Sequence, residues 1–179
     1  KKGRTEASAK VPAYLPDVQE VRGDLLDYAY EIEWFDIHLG QIIQELEKRD
    51  MMQNTIIIVT ADNGLPFPGA KANCYDAGIH VPLAICWQGH ILRHGIEQVA
   101  VSLIDIFPTI MELTGTPYST IPLSGHSLAP LLGIGKGEYE PHEIYSGRER
   151  HSSARPNNWG YPIRSMRQGR YLLIRNFHP

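Results

Sequence analysis

From Val21 onward the apolar residues Leu25, Tyr28, Ala29, Ile32, Phe35, Leu39, Ile42, Ile43 and Leu46 recur three or four positions apart. That spacing predicts one face of a long amphipathic helix ending near Arg49. Asp17-Val18-Gln19-Glu20 in front of it has the acid-x-x-Glu form of a capping box, and Lys48 and Arg49 suit the negative end of the helix dipole. The period then changes. Residues 55–60 form an unbroken apolar, β-branched run, as expected of a buried parallel strand covered by helices on both faces. A second strand is expected over 81–86, with Pro82 near its start where a missing N–H does least harm. Asp105 reads as the N-cap of a helix that runs through Pro108, Ile110, Met111 and Leu113 and stops at Gly115. Residues 133–137 read as a glycine-rich connector. Beyond it the pattern is strand-like over 143–146, 161–166 and 171–176, the last two joined as a hairpin through 167–170.

The 179 residues are about one domain's worth, with 42% hydrophobic and 21% charged positions. A formal charge of -3 and a pI of about 6.2 argue against a general nucleic-acid binder. No apolar run approaches the roughly 20 residues of a membrane helix. Cys74 and Cys86 make a disulfide framework implausible; we read the first as a loop thiol and the second as a small buried hydrophobe. The chain opens on Lys1 without Met or a signal-like segment and ends straight after a strand-like run, so both ends read as cuts through a larger protein.

Chemistry is expected where the run over 55–60 stops on Asp62-Asn63-Gly64. Sites in open parallel sheets lie beyond the carboxyl ends of strands, and carboxylate and amide oxygens are hard donors suited to Ca²⁺ or Mg²⁺. Asp-Asn-Gly is equally an ordinary turn sequence. The segment 146–155 carries Arg148, Arg150, His151 and Arg155; it is either a basic, solvated strand end or a site for planar or tetrahedral anions, which suit arginine's fork. Arg164 and Arg167, three apart in a strand, face opposite sides. His38, His80, His90, His94, His126 and His142 have no partner at metal-ligand spacing and read as structural.

Several separated segments share one order: the helix to Arg49, Thr55 to Gly64, Lys71, Tyr75-Asp76-Ala77-Gly78-Ile79-His80-Val81-Pro82, Asp105-Ile106-Phe107-Pro108-Thr109, and Gly125-His126-Ser127-Leu128-Ala129-Pro130-Leu131-Leu132. That order resembles the sulfatases of the alkaline phosphatase superfamily. Ala61-Asp62-Asn63-Gly64 with Pro66-Phe67-Pro68, together with Tyr161-Pro162-Ile163-Arg164, is most similar to the heparan N-sulfatase-like branch. The resemblance implies an α/β fold: part of an alkaline-phosphatase-like mixed sheet with its helices over 1–135, then the start of a small antiparallel subdomain over 136–179. It also implies that Asp62 and Asn63 are one pair of ligands to a divalent cation, Ca²⁺ or else Mg²⁺. Lys71 is then the basic residue that faces the sulfate, where a positive donor stabilises developing charge; without the resemblance it reads as a solvated loop lysine. Arg150 and His151 are the implied substrate contacts.

The family's nucleophile is a formylglycine made in a Cys/Ser-x-Pro-x-Arg signature, which neither Cys74 nor Cys86 matches. The expected protein is therefore a sulfatase acting on a sulfate ester or N-sulfate of a glycan, with the nucleophile in a missing N-terminal part and this piece inactive alone. A periplasmic, secreted or lysosomal setting follows from the same resemblance. The alternatives are a phosphoester hydrolase of the same superfamily and a non-catalytic module that binds sulfated glycan.

Overall fold

The expected long helix is α1, Gln19–Lys48. In this computed structural model residues 3–91, 95–117, 122–134, 137–151, 153 and 155–178 are described. His94 and the Gly135-Lys136 centre of the expected connector lie outside them. The chain divides after Thr55 into two compact units.

In the first unit the capping box does not form. The N-cap of α1 is Val18, without a side-chain cap. The Asp17 carboxylate is taken instead by the Arg22 fork, at 2.5 and 2.8 Å, because a charge-assisted two-point contact outcompetes a single backbone N–H. Arg22 also donates to the carbonyls of Glu6 and Ala9, both at 3.2 Å, so one side chain holds the irregular lead-in before α1 against the helix. No residue of α1 is fully buried, and Ile32, Phe35 and Ile42 on its apolar seam stay half exposed.

The second unit opens with β1, Ile56–Thr60, and continues through the four-residue helix α2, Asp76–Ile79, to β2, Leu83–Trp87. Among the described residues β1 has no parallel partner. It pairs antiparallel with β2, Ile56 opposite Trp87 and Thr60 opposite Leu83. The cause is local: Gly64 N–H bonds to Gly78 O at 3.0 Å and Leu65 N–H to Ala77 O at 3.1 Å, which folds 64–78 back on itself and returns the chain beside its own strand. A parallel partner needs a crossover instead. The apolar run is half buried along Ile56–Val59. Alternation along β2 turns Cys86 outward, against its expected burial, whereas Cys74 lies in the loop as expected and is itself buried at 4% exposure.

Next comes α3, Ile106–Thr114, ended by Gly115 in the left-handed region at φ 65°. Asp105 occupies its N-cap position, yet the carboxylate makes no cap bond. It accepts Ser102 N–H at 2.7 Å and His126 N–H at 2.9 Å instead. Thr109 Oγ1 donates to Asp105 O at 2.5 Å and accepts Leu128 N–H at 2.8 Å. Together Asp105 and Thr109 bind 126–128 to α3 through buried polar groups, and the fully buried Leu128 and Ala129 follow from it.

The second sheet contains β3 (Ile144–Arg148), β4 (Ile163–Gln168) and β5 (Tyr171–Asn176), all antiparallel in the order β3-β4-β5. The expected hairpin is present: Gln168 pairs with Tyr171 across Gly169-Arg170, with Gly169 at φ 53°. Arg164 reaches Glu149 and Arg167 reaches Asp76, so the two arginines do face opposite ways. Among the described residues no helix is long and apolar enough to cross a membrane.

Candidate active site

β1 ends at Thr60 and delivers Asp62 and Asn63 to the wall of an open cleft of about 1150 Å³. Two contacts fix this wall. Thr60 Oγ1 donates to Pro82 O at 2.8 Å, and Asn63 Nδ2 donates to Gly64 O at 2.8 Å. The second bond commits the amide nitrogen and leaves Oδ1 available beside the exposed Asp62 carboxylate. The loop needs glycine at two places. A Cβ on Gly64 would stand 2.0 Å from Ala77 O, and one on Gly78 2.3 Å from the carbonyl oxygens of Ala70 and Asn73.

A second part of the lining comes from β3. Alternation along it turns Ile144, Ser146 and Arg148 to one side, and all three line the cleft. The Arg148 guanidinium donates through Nη1 to Ala72 O, next to Lys71, and lies 5.1 Å from the centre of the Tyr161 ring. Its Nε is buried without a hydrogen-bond partner, and among the described residues no carboxylate pairs with it. A buried donor left unpaired costs about 1–3 kcal/mol, so a cation held in this way is suited to an incoming anion. Arg167 also lines the cleft, but its charge is answered by Asp76 at the start of α2.

Of the five residues expected to bind metal or substrate or to act in catalysis, Asp62, Asn63 and His151 line this one cleft. Lys71 and Arg150 are exposed and lie outside its lining. Lys71 is held there by its own main chain, whose N–H bonds to Leu65 O at 3.0 Å. The sequence alone does not single out Arg148 from its basic neighbours; the strand alternation Ile144, Ser146, Arg148 is the signal that does. It also leaves unrelated three groups that the fold brings together, Asp105, His126 and His142. Beside them Tyr139, 3.4 Å from His142 Nδ1, has its phenol pushed up to about 12, first by burial and then by the Asp105 carboxylate.

A sequence profile of the sulfatase family matches residues 4–116. The chain belongs to the sulfatase family. Similar proteins include human N-sulphoglucosamine sulphohydrolase, 31% identical over 94% of this chain and 34% of the relative. An ulvan-active sulfatase of Formosa agariphila is 27% identical over 94% of this chain and 27% of its own length. Human arylsulfatase K is 39% identical over 54% and 18% respectively. Among solved structures, a phosphonate monoester hydrolase of Silicibacter pomeroyi superposes with a TM-score of 0.66 at 25% identity, covering 97% of this chain and 37% of the other. The mixed α/β fold is thus alkaline-phosphatase-like. The chain spans about a third or less of the length of these relatives. Sulfatases generally use a divalent metal.

Proposed function

We propose that this chain is part of a sulfatase that hydrolyses sulfate esters or N-sulfates of a glycan, with Asp62 and Asn63 among the ligands of a Ca²⁺ or Mg²⁺ ion. The observation that carries the reading is that one cleft is lined both by Asp62 and Asn63 and by Arg148, which pairs with no carboxylate among the described residues. Two oxygen donors just beyond a strand end, one on an amide whose nitrogen is already bonded, fit a hard cation with room for further ligands. Such an ion supplies Lewis-acid stabilisation of charge on the group being transferred.

The remaining roles belong to the side chains of this chain. Arg148 sets its positive charge toward a sulfate or sulfamate oxygen in the cleft, with Tyr161 restricting how far the guanidinium can swing. His151, at the cleft edge, hydrogen-bonds a sugar hydroxyl or the sulfamate nitrogen. Lys71 and Arg150 contribute positive charge from beyond the lining and draw the anionic substrate inward. The formylglycine nucleophile is not one of this chain's residues.

Sulfate release from N-sulfated and O-sulfated glucosaminides by the full-length protein tests the reading, with a phosphate monoester as competitor. Sulfate release that falls at least about 100-fold in Asp62→Ala, since even outer-shell losses at metal sites reach that size, is the expected result. Phosphate release in place of sulfate would instead favour the chemistry suggested by the phosphonate monoester hydrolase neighbour. Activity unchanged by both Asp62→Ala and chelation would remove the metal assignment.

A further inference from the structure

We infer that Asp105, His126 and His142 form a second metal site, of a different kind from the Asp62–Asn63 pair: a three-ligand site for Zn²⁺ or a similar borderline cation. The three come from separate segments, 21 and 16 residues apart along the chain, and each offers a ligand atom within 4.8 Å of the others. His126 Nδ1 and His142 Nε2 stand 3.3 Å apart with their rings tilted by 49°. Two nitrogens each about 2.0–2.1 Å from one Zn²⁺ at the tetrahedral angle lie roughly 3.3–3.4 Å apart, so the two rings already hold the spacing of ligands to a shared ion.

The third ligand is positioned by the fold. Asp105 has no solvent exposure, and each of its oxygens accepts one main-chain N–H, from His126 and from Ser102. These bonds fix the carboxylate and leave each oxygen a further lone pair. The outer shell is also in place. Tyr139 Oη lies 3.4 Å from His142 Nδ1, so Nδ1–H can donate to the phenol oxygen and leave the Nε2 lone pair turned to the site. Ligating histidines characteristically give their second ring N–H to such a partner.

Imidazole nitrogens with one carboxylate suit Zn²⁺ rather than Ca²⁺, so the two sites divide by ligand hardness. His126 is exposed, and a water can therefore complete four-coordination. Bound there, the ion ties His126 and His142 to Asp105 at the N-terminal end of α3. That is a structural role at the edge of the cleft, whose lining includes His142.

The test is metal binding to the full-length protein, purified metal-free and then loaded. Wild type should take up one equivalent of Zn²⁺ that Ca²⁺ does not displace, and Co²⁺ at the same site should show the visible bands of a low-symmetry, four-coordinate ion. His126→Ala and His142→Ala should each weaken that equivalent at least about 100-fold and abolish the bands, while Asp62→Ala leaves both unchanged. His126 is solvent-facing, so its variant should retain the wild-type circular dichroism spectrum. Equal Zn²⁺ uptake by wild type and the His126→Ala/His142→Ala double variant overturns the inference, as does Co²⁺ binding without four-coordinate bands.

Discussion

Asp105 and His126, 21 residues apart in sequence, are joined by a 2.9 Å hydrogen bond from the histidine main-chain N–H to the buried carboxylate. The other carboxylate oxygen takes Ser102 N–H at 2.7 Å. Asp105→Ala leaves both donors without a partner. At about 1–3 kcal/mol for each unsatisfied group, the expected loss is about 2–6 kcal/mol, read from the urea midpoint. Asp105→Asn keeps one acceptor oxygen and should lose less. A midpoint that does not move for the alanine variant contradicts this account of the α3 region.

Three glycines should respond very differently to the same added methyl group. Gly64→Ala and Gly78→Ala drive a Cβ to 2.0 and 2.3 Å from main-chain carbonyl oxygens, contacts that no rotamer relieves. We expect both to abolish folding of the cleft loop and with it metal-dependent activity. At Gly40, inside α1, a Cβ would meet no atom of the described residues within 4 Å apart from the helix's own backbone, so Gly40→Ala should stabilise by about 0.5–1 kcal/mol through helix propensity. Thermal melts of the three variants give the comparison.

The Arg22 side chain bonded to Asp17 holds that carboxyl below its ordinary value of 3.8. A depressed carboxylate favours the folded state above its unfolded pKa, and the contribution is lost as pH falls through the lower folded value. The pair should therefore help hold the lead-in at neutral pH and release it only below about pH 4. NMR titration of the Asp17 carboxyl carbon should give a midpoint below 3.8, returning toward that value in Arg22→Ala.

Position relative to the cleft should separate two neighbouring arginines. Loss of a charge-assisted contact to a substrate anion is worth about 1.5–3 kcal/mol, so Arg148→Ala should raise KM for a sulfated glycan about tenfold or more. Arg150→Ala, outside the lining, should change it less than about threefold and lose that effect at high salt. Steady-state kinetics on the full-length protein decide between the two, and a larger effect at Arg150 would reverse the roles given to them.

Element types were legible because each rests on short-range pattern. The 3.6-residue period over 21–46 gave α1, and the turn at Gly169 gave the β4–β5 hairpin. Strand direction was not legible for β1, because an unbroken Ile-rich run reports apolar surroundings and carries no information about its neighbour. The backbone crossing at Gly64 and Gly78 decided it. Capping failed at Asp17 and Asp105 for one reason: each carboxylate had a better partner, Arg22 in the first case and two main-chain N–H groups in the second. In the cleft, Asp62, Asn63 and His151 could be named from motif order. Arg148 required the phase of β3, which ends at Arg148 and leaves Arg150 beyond the alternation. The Asp105, His126 and His142 group has no sequence signal because its spacing matches no local ligand pattern.

The bonds across 64–78 also bear on how readily an ion is captured. Gly64, Leu65 and Lys71 each give their N–H to a carbonyl of the same loop, so the main chain next to Asp62 and Asn63 is ordered by the fold itself. Fixing a residue's backbone costs roughly 1–2 kcal/mol, and here that loss of freedom falls on folding and is not repeated when the cation binds. Affinity at the strand end is therefore coupled to the rigidity of this loop, and a substitution that merely loosens it, with every ligand oxygen intact, weakens the ion's hold.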